Sequence, residues 1–407
     1  MPNKQPHHDG AKNRKARLWP LLALNFFMAD MQSGIGPFIS VFLLEHGWAS
    51  GTIGTALTIG NVAGMLIATP VGGLIDLSRH KRLWVILPGL AVVAASSIIL
   101  LWQNFWAVAA SQVATSTAGA AIVPAVTGIT LGMVKQRGFN RQNGRNQAFN
   151  HAGNMIGAAA SGYLGWQFGY VAVFLLAAVF GAITIACVLL IPPETIDYHA
   201  ARGGKEDDPE SQPSALTILL KHKPLLVLAL GLAIFHLGNA AIVPLYSMAA
   251  VADSRANGPS FVATTIVVAQ GVMVVASIVG MRFAEGRTYW PILLVSFLVL
   301  PLRGILAYLL QGWWGVVPIE ILDGIGTGLQ SVAVPGMVAR SLSGTGRVNL
   351  AQGAVITIQG AGAAVSPALG GWIAAWIGFS PTFLVLGALG LVAVGAWVLL
   401  GAAVKQY

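Results

Sequence analysis

The chain has 407 residues, of which 56% are hydrophobic and only 9% are charged, and its mean hydropathy is +0.73. Because soluble domains carry roughly 25% charged residues, this composition excludes an ordinary water-facing surface and indicates a membrane protein. The formal net charge of +9 does not indicate a nucleic-acid partner, since the basic residues lie in short loops between apolar runs.

Apolar runs long enough to cross a bilayer, which takes about 20 residues each, follow one another along the whole chain. The first run is too long for a signal peptide, so it is interpreted as a span. The twelve predicted spans are 18–44, 52–74, 83–102, 105–133, 146–168, 170–191, 224–250, 261–284, 289–311, 314–338, 350–377 and 381–403. The single cysteine, Cys187, lies inside the sixth span, which excludes a disulfide framework.

The distribution of basic residues predicts the orientation of these spans. All but two of the 23 lysines and arginines fall in the tails or in loops on one side, the exceptions being Arg255 and Arg303. The positive-inside rule therefore places both termini in the cytoplasm of a multi-pass protein, here predicted for a bacterial inner membrane.

One long polar stretch, 192–223, divides the spans into two groups of six. We predict a cytoplasmic tail (1–17), an N-terminal half (18–191), a cytoplasmic linker (192–223), a C-terminal half (224–403) and a short tail (404–407). An offset of 209 residues aligns Gly153 with Gly362 and Gly169 with Gly378. Related halves of this kind are common in transporter folds.

Three short motifs carry a family resemblance. The loop after span 2 has Gly72, then Asp76 four residues on, then the basic cluster Arg79, Lys81 and Arg82. Span 11 contains Pro367-Ala-Leu-Gly-Gly371, and span 10 contains Asp323-Gly-Ile-Gly-Thr-Gly328. Over essentially its whole length the chain resembles the major facilitator superfamily.

The resemblance implies an all-α membrane fold with twelve transmembrane helices in two pseudo-symmetric halves and a cavity near the midplane. It implies a monomer that carries a small-molecule substrate within membrane lipid and has no cofactor or metal. It also implies an inner gate in which Asp76, with Arg79 and Lys81, would bond the inner end of span 11. The arginine that proton-coupled members usually carry in helix 4 has no counterpart in the stretch 113–119.

Ionisable groups at membrane depth are costly and therefore indicate function. The candidates for proton coupling are Asp30, His236, Glu320 and Asp323. The alternatives are a structural aspartate, a buried and satisfied histidine, and a structural ion pair between Arg303 and one of the two acids, leaving the other acid free to titrate.

Uncharged polar residues at the same depth predict the lining of the cavity. The candidates are Gln32, Gln112, Thr115, Asn150, His151, Asn154, Asn239 and Gln359, together with Arg303. The alternative interpretation is that these side chains join helices to one another, at about 1 kcal/mol each.

These features predict a secondary active transporter, proton-coupled, for a neutral or cationic and moderately amphipathic molecule, with export favoured. A symporter or uniporter for uptake is the alternative within carriers. A substrate sensor and a membrane-embedded transferase are the alternatives from other classes. No phosphate-binding glycine loop supports ATP-driven transport, and no recognisable nucleophile and base pair supports an enzyme.

Overall fold

The structure is a computed structural model that describes residues 18–29, 35–198, 201, 222–253, 256–284, 288–342 and 348–400. Within these ranges the chain is helical and contains no β-strand. The α-helices are α1 (Leu18–Ala29), α2 (Ile35–Glu45), α3 (Ser50–Leu77), α4 (Leu83–Leu101), α5 (Phe105–Phe168), α6 (Tyr170–Leu189), α7 (Lys223–Asn239), α8 (Ile242–Ala252), α9 (Gly258–Ala284), α10 (Trp290–Leu309), α11 (Trp313–Ser341), α12 (Val348–Ile377) and α13 (Phe379–Leu399).

Nine helical segments in the described ranges are long and apolar enough to cross a membrane. They correspond to nine of the twelve predicted spans, namely all but the first, the fifth and the tenth. The first predicted span contains the two shorter helices α1 and α2 on either side of residues 30–34.

One predicted boundary is wrong. Spans 4 and 5 are predicted to flank a loop at 134–145, but α5 consists of two helices that join at Lys135, where the backbone leaves helical geometry (φ 55°, ψ 175°), and the second helix already includes residues 136–145. Span 7 corresponds to one apolar stretch, Lys223–Ala252, in which the helix is broken between the end of α7 at Asn239 and the start of α8 at Ile242. Pro244 explains this break, because a proline ring clashes with the carbonyl group four residues earlier, here that of Ala240.

The backbone of the broken span is held by a neighbouring helix. The Ala241 N–H donates to Ser366 Oγ of α12 at 2.9 Å, which satisfies a donor that the break would leave unpaired. A proline also stands third in α2, at Pro37, as Pro244 stands third in α8. A proline therefore occupies the third position of one short helix in each half.

Two pairs of glycines that the 209-residue offset aligns occupy similar structural positions in the two halves. Gly153 of α5 lies against the backbone of Phe26, and its counterpart Gly362 of α12 lies against the backbone of Ala233. A Cβ atom at either position would overlap these neighbours. Gly169 and Gly378, which have φ of +76° and +87°, turn the chain into the last helix of each half. The half boundaries at 18–191 and 224–403 stay predictions.

The two halves are packed together at one end, between the start of α3 and the end of α12. Ser50 Oγ donates to the Gly371 carbonyl at 3.0 Å, and the Ala368 N–H donates to Thr58 Oγ1 at 3.0 Å. Gly54 lies directly against the carbonyl group of Pro367. We call this contact the closed end, defined by residues 50–58 and 367–372; the predicted orientation places it at the periplasm.

Candidate substrate cavity and charged cluster

A cavity of about 910 Å³ lies between the halves, bounded by α2, α3, α4, α5, α12 and the α7–α8 break. Its wall contains small residues such as Gly64, Ala68 and Gly119, and the described residues that line it include no charged side chain. Farther along α3 from the closed end, the lining residues Asn61 and Thr69 are exposed. The cavity therefore opens away from the closed end.

Two of the predicted cavity residues line this wall. Gln112 and Thr115 lie one turn apart on α5 and both contact the cavity. Thr115 Oγ1 donates to the Ser111 carbonyl of its own helix at 2.8 Å. Gln112 is only 7% exposed, and no hydrogen-bond partner for its buried Nε2 lies in the part of the chain that the structure describes.

A charged cluster lies inside the C-terminal half, where α7, α10 and α11 meet. Arg303 Nη1 is 2.7 Å from Asp323 Oδ1, and Arg303 Nη2 is 3.4 Å from both carboxylate oxygens of Glu320. Arg303 and Glu320 are fully buried. The sequence-based expectation of one paired and one free acid is corrected, because the two guanidinium nitrogens contact different carboxylates.

Asn239 completes this cluster. Its Oδ1 accepts from Arg303 Nη1 at 2.7 Å, and its Nδ2 donates to Asp323 Oδ1 at 2.9 Å. The amide thus contacts both members of the closer ion pair. Arg303 is also predicted to line the cavity; its side chain is fully buried, and this role stays a prediction.

His236 belongs to a second, neutral network rather than to the cluster that Asn239 joins. Its Nε2 lies 3.1 Å from Gln330 Oε1 and 2.9 Å from Gln359 Nε2. Gln330 Nε2 in turn donates to Ser296 Oγ at 2.9 Å. A neutral imidazole nitrogen either donates to the Gln330 oxygen or accepts from the Gln359 amide, so the tautomer selects one of the two contacts.

The polar residues predicted at 150–154 of α5 contact two different neighbouring helices. Asn150 Nδ2 donates to the Asn25 carbonyl of α1 at 3.3 Å. His151 Nδ1 lies 2.9 Å from Gln270 Oε1 of α9, which joins the two halves by side chains. Asn154 is half-buried on the same helix.

Comparison with known proteins decides the family. The sequence profile of the Major Facilitator Superfamily matches residues 21–319. The chain belongs to this superfamily. The architecture is accordingly the superfamily fold, with twelve transmembrane helices in two pseudo-symmetric six-helix halves.

Two relatives in the superfamily align with this protein over almost its whole sequence. It is 38% identical over 371 residues to the uncharacterised MFS-type transporters MT2531 and Rv2456c of Mycobacterium tuberculosis strains CDC 1551 and H37Rv. Each alignment covers 90% of this chain and 88% of the relative.

Solved structures share the superfamily fold at low sequence identity. The nucleoside transporter NupG superposes with a TM-score of 0.78 at 14% identity, covering 96% of this chain and 99% of that chain. A bacterial homologue of the human lysosomal transporter Spinster, inward-facing and unoccupied, superposes with a TM-score of 0.74 at 13% identity, covering 97% and 98%. These identities establish the fold alone.

The gate motif of the superfamily is described only in part. The side chain of Asp76 lies outside the described residues, as do Asp30 and Gln32. Arg79 is exposed, whereas Lys81 is 1% exposed and donates from Nζ to the Ile75 carbonyl at 2.9 Å. The gating role of these three residues stays a prediction.

Sequence reasoning missed three polar residues that the superfamily fold brings into these networks, namely Gln270, Ser296 and Gln330. Gln330 lies seven residues after Asp323 on α11. The rule that selected Gln359, a polar amide within an apolar span, applies equally to Gln270 and Gln330.

Proposed function

We propose that this protein is a proton-coupled secondary transporter that exports a small, neutral or cationic amphipathic molecule across the bacterial inner membrane by alternating access, acting as a monomer. The observation that carries the proposal is the charge composition of the cluster formed by Arg303, Glu320, Asp323 and Asn239. The packing of the halves at the closed end supports alternating access, since opening that contact would expose the cavity on the other side.

The cluster has one permanent positive charge and two carboxyl groups. Arg303 stays protonated, so the cluster is electrically neutral only when one of the two acids carries a proton. A surplus buried charge is costly to keep away from water, which favours binding of one proton. Asp323, whose side chain is 15% exposed, provides the route by which that proton is exchanged.

Asn239 connects the charged cluster with the α7–α8 break beside the cavity. It is the last residue of α7, next to the break at Ala240, and Ala240 lines the cavity. A change of charge on Asp323 acts on the Asn239 amide, and through it on the backbone beside the cavity. Proton binding is thereby linked to the conformation of the substrate site.

The apolar wall of the cavity supports export. An amphipathic molecule enters a bilayer without a carrier, so a carrier changes its distribution only by moving it against its gradient. The proton gradient across the inner membrane favours proton entry, which is coupled to outward movement of the solute in an antiporter.

The function is tested with purified protein in liposomes that carry an imposed pH gradient. Ethidium and uridine are suitable first probes, the latter because a structural neighbour is a nucleoside transporter. Probe flux that depends on the pH gradient supports the proposal. Flux without that dependence indicates a uniporter, and binding without flux indicates a sensor. Chemical conversion of a probe indicates a transferase.

Asp323→Asn is expected to lower pH-driven flux at least tenfold while equilibrative exchange continues. The substitution keeps an oxygen for Asn239 and Arg303 but removes the exchangeable proton. Flux and counterflow measured on the same liposomes separate the two effects. Undiminished pH-driven flux would remove Asp323 from the coupling mechanism.

Asp30→Asn is expected to abolish pH-driven transport while the amount of folded protein in the membrane is unchanged. The expectation comes from the position of Asp30 near the middle of the first predicted span, where a carboxyl group suits a proton carrier. Size-exclusion profiles report folding and liposome flux reports coupling. Full activity of this variant would leave the Arg303 cluster as the proton site.

A further inference from the structure

The composition of the cavity wall restricts the solute that it can hold. The described lining residues are mostly glycine, alanine and aliphatic side chains, without a charged group. The volume of about 910 Å³ falls in the range of about 300–1,000 Å³ typical of pockets for drug-sized ligands. A charged solute would find no counter-charge among these residues.

Two of the hydroxyl groups in this wall are satisfied by their own helices. Thr115 Oγ1 donates to the Ser111 carbonyl at 2.8 Å, and Thr357 Oγ1 donates to the Gly353 carbonyl at 2.9 Å. Such bonds leave threonine with acceptor capacity but no free donor. These two side chains therefore offer a solute little that would fix its orientation.

Gln112 differs from these residues. It is 93% buried, it lines the cavity, and its Nε2 has no hydrogen-bond partner among the described residues. Buried polar groups are nearly always paired, and an unpaired one weakens the folded state unless a ligand or water completes it. The terminal torsion of a glutamine is broad, so the amide can turn its N–H groups toward the cavity.

The stem of Gln112 is held in place by close approach of α3. A Cβ atom at Gly60 would lie 2.7 Å from Gln112 Cβ, and one at Gly64 would lie 2.9 Å from Ser116 Cβ. The backbone and Cβ of Gln112 are therefore fixed against α3. The freedom that remains is in the amide end of the side chain.

We infer that Gln112 is a specificity-determining residue that donates a hydrogen bond to an acceptor oxygen on an uncharged, otherwise apolar solute. This inference rests on the proposed transport function and narrows its substrate class to neutral molecules with a carbonyl or similar acceptor. The apolar wall takes up the body of the solute, and the amide orients it.

The test compares binding of fluorenone and fluorene, two rigid neutral aromatics that differ in one carbonyl group. Dissociation constants are measured by equilibrium dialysis on the full-length protein in detergent. Wild type is expected to bind fluorenone about tenfold more tightly than fluorene, as one well-placed hydrogen bond provides. Gln112→Met, which preserves the length of the side chain, is expected to bring this ratio close to one.

Gln103→Leu is the matched control, since Gln103 is exposed between α4 and α5. It is expected to leave the ratio unchanged. A ratio that is the same in wild type and Gln112→Met, or absence of binding by both compounds, would overturn the inference. Because binding is measured without a gradient, failure of proton coupling leaves this ratio intact, so the two proposals fail separately.

Discussion

Arg303→Met is expected to destabilise the protein by about 3–5 kcal/mol and to reduce the yield of folded protein. The substitution leaves Glu320, which is fully buried, without the cation that it contacts at 3.4 Å. It also removes the donor shared by Asp323 and Asn239. The loss is measured as the change in unfolding midpoint and in the monodisperse fraction after solubilisation.

The double variant Arg303→Met with Glu320→Gln is expected to recover most of that loss. It contains no stranded carboxylate at position 320, and well-packed replacements of a buried ion pair are often close to neutral. Arg145→Met is the matched control, because Arg145 is exposed on α5 and its replacement should change stability by less than about 0.5 kcal/mol.

Equal instability of the single and double variants would contradict this account of the cluster. The loss would then come from packing of the arginine stem, which is also fully buried. Recovery in the double variant would instead show that the buried carboxylate of Glu320 is tolerated because the positive charge of Arg303 compensates it. The same charge balance underlies the proposed binding of a proton.

The order of the spans and the division into halves could be predicted because both follow from the bilayer. A run of about 20 apolar residues is visible in the sequence, and so is the position of basic loops. The break at Ala240 was missed because apolar composition continues through it. Pro244 was the available signal, but prolines also occur inside continuous helices here, such as Pro70 and Pro124.

The sequence predicted which residues belong to the candidate site, but not which of their side chains contact one another. His236 and Asn239 are three residues apart on α7, a spacing that predicts one shared face. They nevertheless join different networks, because α11 presents Gln330 to one and Asp323 to the other. Which neighbouring helix each side chain meets depends on how the helices cross, and spacing within one helix does not contain that information. The chain position of Arg303 likewise indicated its depth in the membrane but not its contact with two acids.

Gly54→Ala is expected to shift the conformational equilibrium away from the state described here by about 1–3 kcal/mol, or roughly 5- to 150-fold. The added Cβ would overlap the Pro367 carbonyl across the closed end. Separation of the halves at that end would remove the overlap, so the variant should favour the state open there. Transport requires both states, and turnover is expected to fall at least tenfold.

The shift is measured with a reporter cysteine at Asn61, an exposed residue of the cavity wall, in a background where Cys187 is replaced by alanine. A membrane-impermeant maleimide applied from the open side should label Asn61→Cys rapidly, and Gly54→Ala should slow that labelling. Gly395→Ala serves as the matched control, because a Cβ atom there meets nothing within 4 Å. Unchanged labelling with lost transport would mean that Gly54 acts through folding rather than through closure. Slower labelling from the open side, paired with new labelling from the opposite side, would identify the contact between Gly54 and Pro367 as a seal that opens during transport.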